Sequence, residues 1–106
     1  MSEMAGASDE TAANRSGPVV RVLPIINQKG LHARASAKFV QTVERFDADV
    51  RVTRGNETVG GTSIMGLMML AASPGTSITV AATGNQAADV VAALEQLLAS
   101  RFGEDE

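Results

Sequence analysis

Several residue types are missing or scarce in this 106-residue chain, and each absence excludes a class of functional site. Cysteine is absent, which excludes disulfides, thiolate zinc sites, iron–sulfur clusters and cysteine nucleophiles. His32 is the single histidine, so a metal site with two histidine ligands is excluded too. Tryptophan and tyrosine are absent and only three phenylalanines occur, which argues against the aromatic stacking platforms of single-stranded nucleic-acid binders.

Strong charge and long apolar runs are also lacking. The net charge is −3, and because residues 19–102 carry eight basic and six acidic side chains, the acidity lies in 1–18 and 103–106. The central part is too weakly basic for a nucleic-acid footprint. The longest apolar run, Leu67 to Ala72, is too short to span a membrane, and the N-terminus lacks the pattern of a secretory signal. The sequence therefore predicts a cytoplasmic protein that binds neither nucleic acid nor membrane.

The length and the 44% hydrophobic content suit one globular domain with its own core. Residues 1–18 are small or polar and predict a flexible N-terminal extension. We expect the folded domain to cover residues 19–102, followed by an acidic C-terminal tail at 103–106.

Hydrophobic periodicity predicts the order β-α-β-β-α-β-α. Helical spacing predicts helices over 33–46, after Ser63, and from Asn85 onward, whereas alternation predicts strands near 19–25, 50–53, 58–59 and 78–83. Such an order predicts an α+β fold, an open-faced β-sandwich in which three helices cover one face of a four-stranded antiparallel sheet.

The stretch from Lys29 to Arg34 is the most informative for function. It places His32 between a glycine loop and the first turn of a helix, where backbone N–H groups lack helical partners and the dipole favours anions. Arg34 can aim its guanidinium at the same place. A neutral imidazole there has a ring nitrogen free to attack phosphorus. The residues alone leave open that His32 is only a helix cap and that Arg34 is a surface cation.

Two separated motifs then carry a family resemblance. Gly30-Leu31-His32-Ala33-Arg34 and Gly61-Thr62-Ser63-Ile64-Met65-Gly66-Leu67 resemble the histidine-containing phosphocarriers (HPr) of the bacterial phosphotransferase system, over about Val19 to Arg101. The resemblance implies that His32 accepts a phosphoryl group on its pros nitrogen (Nδ1) from enzyme I and passes it to an enzyme IIA domain, in sugar uptake or its regulation. It implies that Arg34 stabilises the phosphate, and that Ser63 is the site used by HPr kinase/phosphorylase. Without this resemblance, the residues around Ser63 predict only a helix N-cap.

Two features of this chain bear on that expectation. Ala35 stands where most family members have a proline, which predicts a slightly less rigid helix start. Ile64, Met65, Met68 and Met69 surround a short helix, and we expect at least two of these four side chains to pack inside. The rest, with Lys29 and Lys38, would form a docking patch for the partners.

The sequence thus predicts a monomeric, stoichiometric relay rather than a self-sufficient enzyme, with no cofactor and no metal. Two alternatives remain open. One is a regulatory binding module whose phosphorylation state, at His32 or Ser63, only selects partners, as in the nitrogen-related branch of the system. The other is a small metabolite-binding domain.

Overall fold

The computed structural model describes residues 17–104 of the chain. Seven regular elements follow one another, and a 3-10 turn at Arg101–Gly103 follows the last of them. They are β1 (Val19–Pro24), α1 (Ala33–Glu44), β2 (Asp49–Arg54), β3 (Glu57–Gly60), α2 (Ile64–Met69), β4 (Ser77–Thr83) and α3 (Ala87–Ala99). The predicted order of elements is confirmed.

The four strands form one antiparallel sheet in the order β1-β4-β2-β3. Leu23 lies opposite Ile78, and Val80 lies between Arg21 on one side and Val52 on the other. Because residues two apart share a face of a strand, this register gathers the buried strand side chains on one face. The opposite face carries exposed residues, among them Val22 at 66% exposure.

The three helices cover the buried face, so the predicted open-faced sandwich is confirmed. On α1 the inward side chains recur at helical spacing, with Phe39, Val40 and Val43 buried. Phe39 and Phe102 are the largest fully buried side chains, and Phe102 enters this core from the 3-10 turn beyond α3. No helix among residues 17–104 is long and apolar enough to cross a membrane.

Two helix boundaries differ from the prediction. Helix α1 ends at Glu44, so Phe46 lies beyond it and only packs against the core. Helix α3 begins at Ala87 rather than at Asn85. The reason is tertiary: Asn85 Nδ2 donates to Asp47 Oδ2 at 2.9 Å, and Gln86 Oε1 accepts the Asp47 N–H at 2.7 Å. Both side chains are thus hydrogen-bonded to the loop before β2.

The predicted N-terminal extension, residues 1–18, lies outside the described residues except for Gly17 and Pro18, which are exposed. At the other end, Gly103 and Glu104 belong to the described chain, whereas residues 105–106 do not. Helix α3 is thus followed by an ordered turn that continues past Phe102.

Candidate functional site

The loop before α1 is held tightly against the loop after α2. Gly30 has a left-handed backbone (φ +63°), and a Cβ at this position would collide with the carbonyl oxygen of Ala72. The next amide, of Leu31, donates to that same oxygen at 3.0 Å. A glycine is required here by both conformation and space. This contact of Gly30 and Leu31 with Ala72, here called the brace, fixes the position of His32 at the start of α1.

His32 is the N-cap of α1. Its backbone is extended (φ −76°, ψ −177°), its carbonyl accepts the Ser36 N–H at 2.9 Å, and its ring Nδ1 accepts the Arg34 N–H at 3.2 Å. The imidazole therefore does the work usually done by a serine or aspartate oxygen at a helix start. Capping and a reactive ring nitrogen are compatible, since both need an unprotonated Nδ1.

Glu104 contacts the other ring nitrogen, His32 Nε2, through its Oε2. Its second oxygen, Oε1, accepts from Asn27 Nδ2 at 3.2 Å, and Asn27 is fully buried. The Glu104 side chain is only 9% exposed and that of His32 23%. The ring is therefore partly covered, and the predicted acidic tail contributes the residue that covers it.

These contacts assign the imidazole proton. Nδ1 accepts a hydrogen bond, and Nε2 faces a carboxylate, so the neutral ring carries its proton on Nε2. Burial works to raise the pKa of Glu104, but hydrogen bonds from His32 and Asn27 outweigh it, together with the positive charge of Arg34 and that of His32 when its ring is protonated. The pKa of Glu104 consequently lies below its ordinary value, and the carboxylate is ionised at neutral pH.

Arg34 and Lys29 are exposed, as expected for residues that meet a ligand or a partner. Lys38 is half-buried, and its Nζ donates to the Phe102 carbonyl at 2.6 Å. That amine therefore holds the C-terminal turn in place. Among residues 17–104, no group of three or more acidic or histidine side chains is arranged to hold a metal ion.

Ser63 is the N-cap of α2, and its Oγ accepts the Gly66 N–H at 2.9 Å. The residue is exposed. The plain capping role is therefore present in the structure, and the hydroxyl is also within reach of another protein.

Helix α2 carries an exposed apolar surface, here called the α2 patch. It consists of Ile64, Met65, Met68 and Met69, which are 41%, 69%, 40% and 70% exposed. The expectation that at least two of the four pack inside is wrong. Leu67 alone anchors the helix, with no exposed surface, because six residues turn only one narrow face to the core.

Two site residues were not predicted from the sequence, Glu104 and Asn27. Glu104 lies 72 positions from His32, and no local pattern links the two. One signal was present: Phe102 is an apolar residue beyond the end of the α3 stripe, which indicates that the chain keeps packing after the helix. Asn27 lies in a loop, where an asparagine is ordinarily exposed.

Comparisons with known proteins all indicate the same family. A family model described as the PTS HPr component phosphorylation site matches residues 19–100. A phosphocarrier protein HPr of Neisseria meningitidis is 50% identical over 84 residues, which cover 79% of this chain and 94% of that protein. One of Pseudomonas aeruginosa is 47% identical over 85 residues, again 79% and 94% of the two chains.

Solved structures agree with the sequence matches. A crystal structure of HPr-C-His from Thermoanaerobacter tengcongensis superposes with a TM-score of 0.79 at 38% identity, covering 83% of this chain and 99% of that one. HPr from Bacillus anthracis gives a TM-score of 0.73 at 36% identity, covering 76% and 96%. These matches define the class of protein, which is that of small phosphocarriers of the phosphotransferase system. Within it, the chain belongs to the PTS HPr family.

Proposed function

We propose that this protein accepts a phosphoryl group from enzyme I on His32 Nδ1 and passes it to an enzyme IIA domain. The observation that carries the proposal is the position of Nδ1. It is an unprotonated ring nitrogen at the first turn of α1, within hydrogen-bonding distance of a helix amide. The family to which the chain belongs supports the same assignment.

The local chemistry favours a transient acceptor. When Nδ1 attacks phosphorus, a new N–P bond forms and the bond to the donor breaks, its electron pair staying with the donor. The Arg34 N–H that now caps Nδ1 can donate to a phosphoryl oxygen instead. The exposed Arg34 guanidinium adds a forked donor for two such oxygens. All of these donors lie on one helical turn, so the phosphoryl group is stabilised without being enclosed.

The α2 patch supports docking of other proteins beside His32. Its methionines are flexible, apolar and exposed, which suits a surface that meets several partners. The loop after α2 is hydrogen-bonded to the loop before His32 through Leu31 and Ala72, so patch and histidine keep a fixed relation. We propose Ile64, Met65 and Met68 as contacts, with exposed Lys29 as a basic neighbour. Lys38 is a weaker candidate, because its amine already binds Phe102.

Ser63 supports a second, regulatory proposal. The serine is exposed and comes immediately before Ile64 and Met65 of the α2 patch. A phosphate there would place about −1.5 to −2 charges next to an apolar docking surface. We propose Ser63 as a site for HPr kinase/phosphorylase in cells that have that enzyme. In this role the phosphorylation state of the protein would choose among partners.

In the cell we place this carrier in the cytoplasm, as a monomer that meets its partners one at a time. Family membership supports this, but a solved relative from Thermoanaerobacter tengcongensis is described as an HPr dimer. Sedimentation of this chain at micromolar concentration decides between the two states.

The test of the proposed function is phosphorylation by purified enzyme I and phosphoenolpyruvate. We expect one acid-labile phosphate per chain, absent from His32→Ala and present at the wild-type level in Ser63→Ala. Circular dichroism confirms that both variants are folded. Label that persists in His32→Ala excludes His32 as the acceptor.

Addition of an enzyme IIA domain then separates the carrier from a module that only binds. A carrier passes its phosphate on. A module that only selects partners keeps it.

A further inference from the structure

An ordered segment beyond α3, here called the C-terminal hook (Arg101–Glu104), brings Glu104 to His32. Arg101 and Phe102 have left-handed backbones, with φ of +56° and +57°. Such a conformation is unfavourable for residues other than glycine, so other contacts must maintain it. Phe102 is 1% exposed in the core, and its carbonyl accepts from Lys38 Nζ. The contacts of Phe102 therefore hold two residues in an unfavourable backbone conformation, and this keeps the C-terminal hook in place.

The end of the hook is as well held as its beginning. Glu104 Oε1 accepts from Asn27 Nδ2, and the same Nδ2 donates to the Gly30 carbonyl at 2.9 Å. Asn27 thereby links Glu104 to the loop that positions His32. The remaining carboxylate oxygen is left for His32 Nε2. Glu104 reaches the ring nitrogen that the proposed chemistry does not use.

We propose that Glu104 is a positioning residue that retains the His32 proton on Nε2 while Nδ1 gains and loses the phosphoryl group. The inference rests on the proposed function and extends it. Before transfer, both Glu104 and the Arg34 N–H favour the Nε2–H ring. After transfer Nδ1 is bonded to phosphorus and the Arg34 N–H no longer holds the ring. Glu104 is then the contact that keeps the proton in place.

The proton balance explains why this is useful. Attack by neutral imidazole forms the Nδ1–P bond and leaves a ring that bears a positive charge, with its proton still on Nε2. The negative Glu104 carboxylate stabilises that positive charge. In the onward step the Nδ1–P bond breaks, the acceptor takes the phosphoryl group, and the electron pair returns to Nδ1. The leaving group is then neutral imidazole, and no proton moves in either direction.

The charged groups around the ring are Glu104 on the hook and Arg34 on α1, with neutral Asn27 behind the carboxylate. The phosphoryl group itself adds negative charge beside Nδ1. Arg34 opposes protonation of the ring, whereas Glu104 and the phosphoryl group favour it. Glu104→Gln isolates the charge of Glu104, because glutamine keeps the size and can accept from the same donors. Glu57→Gln is the matched control, since Glu57 is an exposed carboxylate at the start of β3.

The experiment titrates the phosphorylated ring of full-length protein by 15N and 31P NMR. Protein phosphorylated by enzyme I is compared with protein phosphorylated by the small donor phosphoramidate, so that a failure of enzyme I does not prevent the titration. In Glu104→Gln we expect the phosphorylated ring to lose its Nε2 proton about one pH unit lower than in wild type, a tenfold loss of proton affinity. Glu57→Gln should titrate like wild type.

Three outcomes overturn the proposal. One is equal titration of wild type and Glu104→Gln. Another is an equal shift in Glu57→Gln, which would indicate an effect of net charge only. The third is a 31P–15N correlation that places the phosphorus on Nε2 of the wild type, because Glu104 would then fail to protect that nitrogen. Absence of labelling by enzyme I, with the expected shift in the chemically phosphorylated protein, refutes the proposed function and leaves the Glu104 contact established.

Discussion

The two helix starts that carry the sequence motifs have the same design and different surroundings. His32 caps α1 by accepting the Arg34 N–H, and Ser63 caps α2 by accepting the Gly66 N–H. His32 is held from a second side by Glu104, whereas Ser63 is exposed on a helix of six residues. The two caps therefore differ in a second contact. Glu104 meets Nε2 of the histidine ring, whereas the serine side chain is exposed.

The brace behind His32 is where we expect the largest effect. In Gly30→Ala the new Cβ meets the Ala72 carbonyl in a left-handed backbone, so we expect a loss of about 2–4 kcal/mol in the free energy of unfolding. Gly55→Ala is the matched control, because Gly55 has a similar φ of +62° and open space around its Cβ. We expect it to lose about 1 kcal/mol. Urea titration measures both, and equal losses would mean that the close approach to Ala72 is unimportant.

Arg34 tests whether the helix amides alone suffice for the phosphoryl group. Arg34→Ala removes the exposed guanidinium and keeps the backbone N–H that caps Nδ1. A lost charged hydrogen bond of about 1.5 kcal/mol corresponds to roughly tenfold slower phosphorylation by enzyme I, with an unchanged melting temperature. Arg34→Lys should be phosphorylated at a rate between those of wild type and Arg34→Ala, since lysine keeps the positive charge but lacks the paired N–H donors of the guanidinium. Wild-type kinetics in Arg34→Ala would assign the phosphate to the helix amides.

Ser63 separates the capping role from the regulatory one. Ser63→Ala removes the acceptor of the Gly66 N–H and should cost about 0.5–2 kcal/mol of stability, while phosphorylation of His32 stays intact. Ser63→Asp retains a capping oxygen and adds a charge beside the α2 patch. We expect unchanged stability and slower phosphorylation by enzyme I.

The paired measurements are melting temperature and enzyme I kinetics on both serine variants. If the aspartate variant is phosphorylated at the wild-type rate, Ser63 is a cap and nothing more.

The smallest effect concerns pH. Because the pKa of Glu104 is lower in the folded chain than its ordinary value of 4.5, its contacts stabilise the fold above that value. The contribution is lost as the pH falls through the lowered pKa. We expect the stability gap between wild type and Glu104→Gln to be full near neutrality and to close below about pH 4.5. Urea midpoints from pH 7 to pH 2 measure the gap; one that stays constant with pH would show that the charge of Glu104 is irrelevant.

Much of the fold follows from local patterns, and most of the site follows from one motif. Alternation in β4 and the apolar stripe of α3 fix the type of each element, and serine before an apolar turn predicts the cap of α2. Glu104 could not be predicted, since its position depends on left-handed backbones at Arg101 and Phe102 that nothing in the residue types favours. The start of α3 was mispredicted for a similar reason, because Asn85 bonds to Asp47 across the chain.

Helix α2 has one more consequence, for how such a surface changes over generations. Ile64, Met65, Met68 and Met69 each keep at least 40% of their surface exposed, and Leu67 does the packing. Substitutions at exposed positions usually change the free energy of unfolding by under about 0.5 kcal/mol, so these four residues can be replaced with little loss of stability. The histidine and its supports lie on other segments and need not change with them. With α2 as the proposed docking surface, a lineage can gain or lose a partner protein by substitutions in α2 while the residues around His32 stay the same.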